Sequence, residues 1–358
     1  MEPLVRSTQR RFPLILAIAL PVLLLMGART AFGSELYMVE LPMAESFRPD
    51  STMSSSTRAL QRHAIQMSQD RVMQALATKP YGVHRRFKTI PFLSLELSEE
   101  QAADLVAAGL ATRAYVPPMV YPSLGQSIPN TGTGEAHSIG FDGSGQVIVI
   151  MDTGLDANHS AFGGRVVTEA CFTSTQSCPN GGNTMFGPGA AQPCVWNPGA
   201  CIHGTHVAGI AAGGGAMPGV APGAGIIGVQ VFSNSGGQPA GQFADILAGL
   251  EWVLEQAASY PIAAVNLSLG TGPRTPPCDS AFPAIEAAFA NLVAAGIAPV
   301  VASGNSSSAT GLGSPACLSS AVSVGCSTDN DAICGFSNSA PALDLLAPGS
   351  GITAPLPN

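Results

Sequence analysis

The chain has 358 residues, 46% of them hydrophobic, so it is long enough for two domains and has ample material for buried cores. Its charge is uneven: residues 123–358 contain two arginines, no lysine and thirteen acidic residues, whereas residues 34–122 contain nine charges of each sign. An acidic surface without lysine argues against nucleic acid or an anionic membrane as a partner.

The first 33 residues have the layout of a secretory signal peptide. Three arginines precede an apolar run over 12–27, and Ala31-Phe32-Gly33 offers small residues for cleavage. An uncleaved membrane anchor is the alternative, but the run is short for a bilayer span and two prolines interrupt it. We therefore expect cleavage after Gly33 and an exported protein with no stable membrane association.

Residues 34–122 predict a small α+β domain. Alternating apolar residues indicate strands, apolar residues at helical spacing indicate helices, and Ser98 with Gln101 forms a capping box at a helix start. The predicted order is a strand at 36–41, a helix at 56–78, a strand at 92–97, a helix at 98–110 and a strand from 114.

Residues 123–358 predict a three-layer α/β domain with a mostly parallel sheet. Apolar runs that end in small or polar residues are typical of buried parallel strands. The expected strands lie near 146–151, 226–232, 262–268 and 296–302, and the expected helices lie at 203–213, 241–259 and 280–295.

Two short motifs stand out in this second region, Asp152-Thr-Gly and His203-Gly-Thr-His-Val-Ala-Gly. Asp152 ends an apolar strand, which delivers its carboxylate to the carboxyl end of the sheet, where α/β sites form. His203 begins a helix of small residues, which aims its ring outward. Taken singly, such an aspartate is usually a turn residue, and a lone histidine is no more informative. Together they are the residue types that activate a serine, because an imidazole takes the hydroxyl proton while a carboxylate holds the imidazole in the right tautomer.

A third motif, Ser303-Gly304-Asn305, follows another apolar strand. The amide of Asn305 could donate a hydrogen bond to a tetrahedral oxyanion, or the residue could simply favour a turn. A metal site is not indicated. His203 and His206 are three residues apart, but they lack a neighbouring glutamate and a third ligand, so we expect a structural role for His206.

In this order, the segments of Asp152, His203 and Asn305 resemble the aspartate, histidine and oxyanion-asparagine segments of subtilisin-like serine proteases, the subtilases, in which the serine nucleophile comes last. No Gly-Thr-Ser-Met-Ala-like segment occurs in these 358 residues. The resemblance implies a secreted serine endopeptidase of broad specificity. We expect the chain to be a C-terminally incomplete fragment of one, lacking the serine and inactive as it stands.

Two other classes of protein compete with that interpretation. An aspartic protease also uses Asp-Thr-Gly, but it needs two such motifs, and this sequence has one, with no place for the His-Gly-Thr-His string. A non-catalytic pseudoenzyme or peptide-binding module of the same fold is the second alternative. Sequence that continues past Asn358 would discriminate between this alternative and a fragment.

The resemblance also implies a substrate cleft. Ser268-Leu269-Gly270 resembles the strand that pairs with substrate and lines one wall of the primary specificity pocket, and Ala302-Ser303-Gly304 would form the other wall. Ser235-Gly236-Gly237 resembles the opposite edge, so an extended peptide would be held as an added strand between the two.

The same resemblance extends to residues 34–122, which are similar to the family's inhibitory propeptide, a ferredoxin-like fold that blocks the cleft. The expected partners are therefore a peptide or protein substrate and the chain's own propeptide, and we expect a monomer. A calcium site of many subtilisins has an aspartate where this chain has Ala161, and the loop at 213–218 is short where that site would continue. We expect no cofactor at that site, while calcium elsewhere stays open.

All eight cysteines lie beyond residue 170, which fits an oxidising compartment, and no Cys-x-x-Cys pair suggests zinc. Spacing alone cannot choose among the possible pairings. The family layout implies two bridges, Cys326–Cys334 and Cys278–Cys317. The other four cysteines lie between Asp152 and His203, and we expect them to staple a surface insert internally.

Overall fold

A computed structural model describes residues 34–117, 119–122, 131–215 and 217–358, and the leader expected at 1–33 lies outside them. Ser34–Asn358 forms one compact unit. Within it, the N-terminal module (residues 34–117) and the C-terminal module (residues 131–358) each have a sheet of their own. Of the helices in the described ranges, none has the length and apolar character needed to cross a membrane.

The N-terminal module is an antiparallel sheet covered by two helices. Its strands follow the order β2-β3-β1-β4, and apolar residues of β1 and β3 pack against both helices in a separate core. Its elements are β1 (Glu35–Glu40), α1 (Ser55–Leu76), β2 (Gly82–Arg86), β3 (Phe92–Leu97), α2 (Glu99–Ala107) and β4 (Arg113–Tyr115).

This β-α-β-β-α-β order is that of a ferredoxin-like fold. It contains one strand more than the sequence predicts, because β2 has Val83 as its only large apolar residue and carries three basic side chains. Such a segment shows no alternation of apolar and polar residues. The capping box at Ser98 and Gln101 is present as expected.

The C-terminal module is built on an eight-stranded sheet with the order β18-β17-β15-β12-β6-β9-β7-β8. All neighbouring pairs in this sheet are parallel except β7 with β8. The sheet strands are β6 (Val147–Asp152), β7 (Val166–Phe172), β8 (Thr184–Phe186), β9 (Gly225–Gln230), β12 (Ile262–Leu267), β15 (Ala298–Ala302), β17 (Val322–Ser327) and β18 (Leu345–Pro348).

Helices cover both faces of this sheet and complete three layers. Helix α5 packs on one face with Ile150 and Ile226, and helices α6 and α7 pack on the other face with Val149 and Val229. The helices are α3 (Thr133–Ser138), α4 (Pro198–Cys201), α5 (His203–Ala212), α6 (Phe243–Gln256) and α7 (Pro283–Ala294). The four predicted parallel strands and three predicted helices are confirmed, with ends within three residues of the prediction.

Short strands outside the main sheet either line a cleft or lie within it. They are β5 (Met119–Pro122), β10 (Phe232–Ser235), β11 (Gln238–Gln242) and β13 (Leu269–Gly270), in the order β10-β11-β5-β13. A further pair, β14 (Pro273–Arg274) and β16 (Leu312–Gly313), closes a loop nearby.

Candidate active site

The structure brings Asp152 and His203 into direct contact. Asp152 is the last residue of β6 and His203 the first of α5, and the His203 Nδ1 atom lies 2.6 Å from Asp152 Oδ1. Both side chains are buried, at 1% and 2% exposure. In this arrangement the carboxylate holds the imidazole by Nδ1, which is the tautomer that makes Nε2 the basic nitrogen.

Two glycines and a threonine allow this close approach. A Cβ on Gly204 would lie 2.1 Å from the Gly154 carbonyl oxygen, so only glycine lets the start of α5 lie on the Asp-Thr-Gly turn, where Gly154 itself has φ +96°. The Thr153 amide donates to Asp152 Oδ1 at 2.7 Å, and the Thr153 hydroxyl accepts from the Gly204 amide at 3.1 Å. Thr153 therefore joins the two halves of the site, a role that the sequence analysis did not assign.

Asn305 lies in a loop that a buried asparagine holds in place. The Asn338 amide donates to the Ser303 carbonyl at 2.8 Å, and its Oδ1 accepts from the amides of Ser306 and Ser308 at 3.1 Å each. Asn338 is fully buried, whereas Asn305 is exposed at the tip of the loop. The sequence alone offers no signal for Asn338, because its contacts span 30 to 35 residues and follow no motif.

A groove with a volume of about 300 Å³ joins this loop to helix α5. Its walls include Val207, Ile210 and Ala211 of α5, and the ends of β12, β15 and β17. Five residues predicted for the site line it: Ser268, Ala302, Ser303, Gly304 and Asn305. The groove thus adjoins Ser268 of one predicted wall, the three residues of the other wall, and Asn305, whereas Leu269 and Gly270 do not line it.

Strand β5 lies in the cleft as an added antiparallel strand. Its backbone pairs with β11 at Gly241 and Gln242 and with β13 at Leu269 and Gly270. The pairing at 269–270 follows the predicted wall, but the opposite edge differs from the prediction. Ser235-Gly236-Gly237 forms the turn of the β10–β11 hairpin instead, because Ser235 already pairs with Gln238 and the two glycines take positive φ at the tip.

Four disulfides connect the eight cysteines of the described residues. Cys278 is joined to Cys317 and Cys326 to Cys334, which are the two bridges that the family layout implies. The insert between Asp152 and His203 contains Cys171–Cys178 and Cys194–Cys201. The second of these adjoins the site, since the Cys194 amide donates to the Thr153 carbonyl at 3.2 Å.

The residues around Ala161 do not fit a calcium ion. The guanidinium of Arg165 donates to the carbonyl oxygens of Ala161, Ala212 and Ala224 at 2.7 to 3.0 Å. A cation therefore already ties these three segments together, and position 161 offers no carboxylate. Within the described ranges no group of three or more metal-ligating side chains is present.

His206 lies on α5, one turn beyond His203, and contacts the segment after β18. Its pKa is lowered from the usual value because burial disfavours the charged ring and because His203 is near, although a hydrogen bond to the Ile352 backbone opposes this. A neutral ring bonded to backbone is consistent with the structural role predicted for it.

A buried aspartate that orients a histidine at the carboxyl end of a parallel sheet, beside a cleft that takes up an extended strand, is the arrangement of an α/β serine protease. Residues 143–356, more than half of the chain, match the subtilase family of peptidases, family S8, and the chain belongs to this family of subtilisin-like serine proteases.

Curated relatives agree with this assignment. The chain is 34% identical to an alkaline serine exoprotease A of Vibrio alginolyticus over 60% of this chain and 34% of that protein. It is 34% identical to an extracellular serine proteinase of Thermus sp. (strain Rt41A) over 59% of this chain and 44% of the relative. A crystal structure of a cold adapted subtilisin-like serine proteinase has 34% identity and a TM-score of 0.45, covering 61% of this chain and 67% of that one. The chain thus spans less than half the length of these curated relatives.

Proposed function

We propose that the chain carries the Asp–His part of a secreted serine endopeptidase and that the serine nucleophile lies in sequence outside these 358 residues. The observation that carries this proposal is the 2.6 Å contact between His203 Nδ1 and Asp152 Oδ1 in a buried setting. A carboxylate in this position holds the imidazole for proton transfer and stabilises the imidazolium that forms.

In the proposed reaction, His203 takes the proton of the serine hydroxyl as it attacks the peptide carbonyl and then gives it to the leaving amine. Asn305 donates a hydrogen bond to the oxyanion, where charge develops only in the transition state. The loss of such a donor lowers the rate by roughly a hundredfold to a thousandfold, a value that comes from subtilisin.

The groove beside α5 supports this proposal, because it offers a place for the segment that would carry the serine. Its α5 wall is apolar, and residues 349–358 already lie over that helix, since a Cβ on Gly209 would come within 2.3 Å of the Pro355 ring. The Asn358 side chain donates to Asp156 at 2.9 Å, which directs the chain across the start of α5. An apolar helix would fit against this wall of the groove, which also borders Asn305.

The pairing of strand β5 supports a proposal for how a peptide substrate would bind, namely as an extended strand in the cleft. Because its backbone pairs on both sides, a peptide substrate would be recognised first through its main chain and second through its side chains. The five predicted residues that line the groove are all uncharged, which favours broad specificity. The N-terminal module together with β5, which follows it in the chain, would then act as an inhibitory propeptide.

The proposal includes an extracytoplasmic location, a monomeric state and no cofactor at the Ala161 segment. The leader-like composition of residues 1–33 and the names of the curated relatives, one called extracellular and one an exoprotease, support export. The Arg165 contacts support independence from calcium at this segment.

The test is to continue the reading frame and compare the extended protein with residues 34–358. We expect the extended protein to hydrolyse a chromogenic peptide and to be labelled and inactivated by a fluorophosphonate, and the shorter chain to do neither. Turnover by the shorter chain would contradict the proposal. Peptide binding without turnover in the extended protein would instead favour a peptide-binding module of the same fold.

A further inference from the structure

Strand β2 inserts an arginine between the two modules. Arg85 Nη1 donates to Thr184 Oγ1 at 3.1 Å, and Nη2 donates to the Asn183 carbonyl at 3.3 Å and to Asp245 Oδ1 at 3.4 Å. The guanidinium carbon lies 5.6 Å from the centre of the Phe172 ring. We call these four contacts of the C-terminal module the Arg85 site. A planar donor group held by three acceptors and an aromatic face is what distinguishes arginine recognition from lysine recognition.

The carboxylate at the centre of this site is fully buried. Asp245, in the first turn of α6, accepts from the Ser174 hydroxyl on Oδ2 at 2.5 Å and from His84 Nε2 on Oδ1 at 3.0 Å, besides Arg85. His84 and Arg85 are the titratable groups that face it, and both belong to the N-terminal module. A buried carboxylate without a cation is costly, so the site requires what β2 brings.

The C-terminal module does not supply this cation from the arginines it has. Arg165 is engaged by three backbone carbonyls, and Arg274 lies over the ring of Phe282 at 5.0 Å. All the acceptors at the Arg85 site lie on the C-terminal module, while both basic groups come from the other module. The two modules also share apolar contacts here, since Phe87 and Phe92 lie in the same buried cluster as Phe172. The polar contacts are divided, with the acceptors on one module and the basic groups on the other, as in the recognition of one module by another.

We propose that Phe172, Asn183, Thr184 and Asp245 form an arginine-binding exosite, whose ligand class is a guanidinium carried on an edge strand. In this chain its occupant is Arg85, with His84 beside it, so the exosite holds the N-terminal module in addition to strand β5 in the cleft and the bonds of Lys88 and Thr89 to Glu251. The inhibitory meaning of this second contact rests on the proposed function, whereas guanidinium binding does not.

The exosite is connected to the edge of the cleft. The Ser174 amide donates to Ser233 Oγ at 2.9 Å, and the Asn234 amide donates to Ser177 Oγ at 3.0 Å. Both contacts end on strand β10, which pairs with β11, the strand that holds β5. The insert closed by Cys171–Cys178 therefore touches the exosite on one side and the cleft hairpin on the other.

Chemical rescue tests the proposal in residues 34–358 without any need for peptidase activity. Arg85→Ala removes the guanidinium, and we expect amide hydrogen exchange of residues 82–86 to become about tenfold faster, as for the loss of a charge-assisted hydrogen bond. Ethylguanidinium, which matches the deleted atoms, should restore slow exchange in a saturable way, and ethylammonium at the same concentration should not.

Matched variants make the outcome specific. Arg86→Ala is the control, because Arg86 binds Asp70 and Gln69 within its own module, so ethylguanidinium should not change its exchange. Adding Asp245→Asn to Arg85→Ala should abolish the rescue. If Arg85→Ala does not fold, Thr184→Val removes one acceptor at nearly constant volume and should speed exchange of the same residues severalfold. Unchanged exchange in the Arg85 or Thr184 variant, rescue by ethylammonium, or equal rescue of Arg86→Ala would overturn the exosite.

Discussion

Two buried histidine–carboxylate pairs lie in the described residues. They differ in which member of the pair a serine hydroxyl would contact, the imidazole in the first pair and the carboxylate in the second. In the first pair, His203 contacts Asp152 through Nδ1 at 2.6 Å. In the second, His84 contacts Asp245 through Nε2 at 3.0 Å, and the nearby Ser174 hydroxyl donates to the carboxylate itself. Both pairs are almost excluded from solvent.

This difference explains why the same residue types, a histidine, an aspartate and a serine, do not form a catalytic triad around Asp245. Activation of a serine requires the order carboxylate, imidazole, hydroxyl, with the two ring nitrogens facing different partners. Around Asp245 the hydroxyl and the imidazole both converge on the carboxylate. Ser174 Oγ also lies 3.4 Å from His84 Nε2, but this is the same ring nitrogen that contacts Asp245, so the two ring nitrogens do not connect the carboxylate to Ser174. The second cluster gathers donors around a buried negative charge, which is an arrangement for binding a cation.

The largest expected effect separates the two histidines by activity. In the protein extended past Asn358, His203→Ala should lower kcat/KM for a chromogenic peptide by at least about 10⁴-fold, because the proton acceptor is removed. His84→Ala is the matched control and should leave the rate of the processed enzyme within about twofold. A wild-type-like rate for His203→Ala, with folding verified by circular dichroism, would remove His203 from the mechanism.

The next effect separates the two clusters by stability. Asp245→Asn in residues 34–358 should lower the free energy of unfolding by about 3 kcal/mol, because Arg85 and His84 lose the charge that they face in a buried setting. Asp104→Asn is the control, since its partner Lys79 is exposed, and it should change the same quantity by less than about 1 kcal/mol. Urea unfolding measures both. Equal losses in the two variants would show that burial does not distinguish them.

The contact between Asp152 and His203 could be predicted from sequence, whereas the Arg85 site could not. Asp152 and His203 each stand in a contiguous motif, and the end of a parallel strand defines where the carboxylate lies. His84 and Asp245 are 161 residues apart, and β2, which carries His84, shows no strand pattern. Contacts between modules depend on docking, about which local periodicity contains no information.

The edge of the cleft is a second feature that the sequence alone could not locate. Both 235–237 and 241–242 follow strand β9 and both are polar and glycine-containing, so a resemblance to the family edge can be placed on either. The β10–β11 hairpin determines which segment forms the edge of the cleft. It turns at Gly236 and Gly237, so that Gly241 lies beside strand β5. Register of this kind follows from turn geometry and strand pairing rather than from composition.

Two disulfides that close loops of equal length allow the surroundings of Asp245 and of Asp152 to be disturbed separately. Cys171–Cys178 closes the loop that carries Ser174, and Cys194–Cys201 adjoins Thr153. Replacing either pair by serines should cost about 2.5 kcal/mol of unfolding free energy, since the closed loops have the same length. Only the first replacement should speed hydrogen exchange at residues 82–86, and only the second should speed it around Asp152. Identical exchange patterns in the two variants would contradict this separation.

The smallest expected effect concerns Glu251, a carboxylate that, like Asp245, contacts the N-terminal module. It accepts from the amides of Lys88 and Thr89 and from the Thr89 hydroxyl at 2.7 to 2.9 Å, yet loss of solvent outweighs these bonds and raises its pKa to about 7. Between pH 4.5 and about 7, the folded protein therefore holds a proton that the unfolded chain releases. Stability from this group is present below pH 4.5 and is lost as the pH rises to about 7.

Because Glu251 keeps some contact with solvent, the loss should be roughly 1 to 2 kcal/mol, less than its pKa alone would give. Glu251→Gln should reduce the fall in unfolding free energy across this interval by that amount. Glu255→Gln, which removes a carboxylate in an exposed pair with Lys88 one helical turn further, should change the slope much less, because the charge of Glu255 is the smallest of the causes that raise the Glu251 pKa. The comparison is between the slopes of the variants, since other groups titrate in all of them. A Glu251→Gln slope equal to that of the parent chain would show that this carboxylate titrates normally beneath the N-terminal module, and would contradict the prediction.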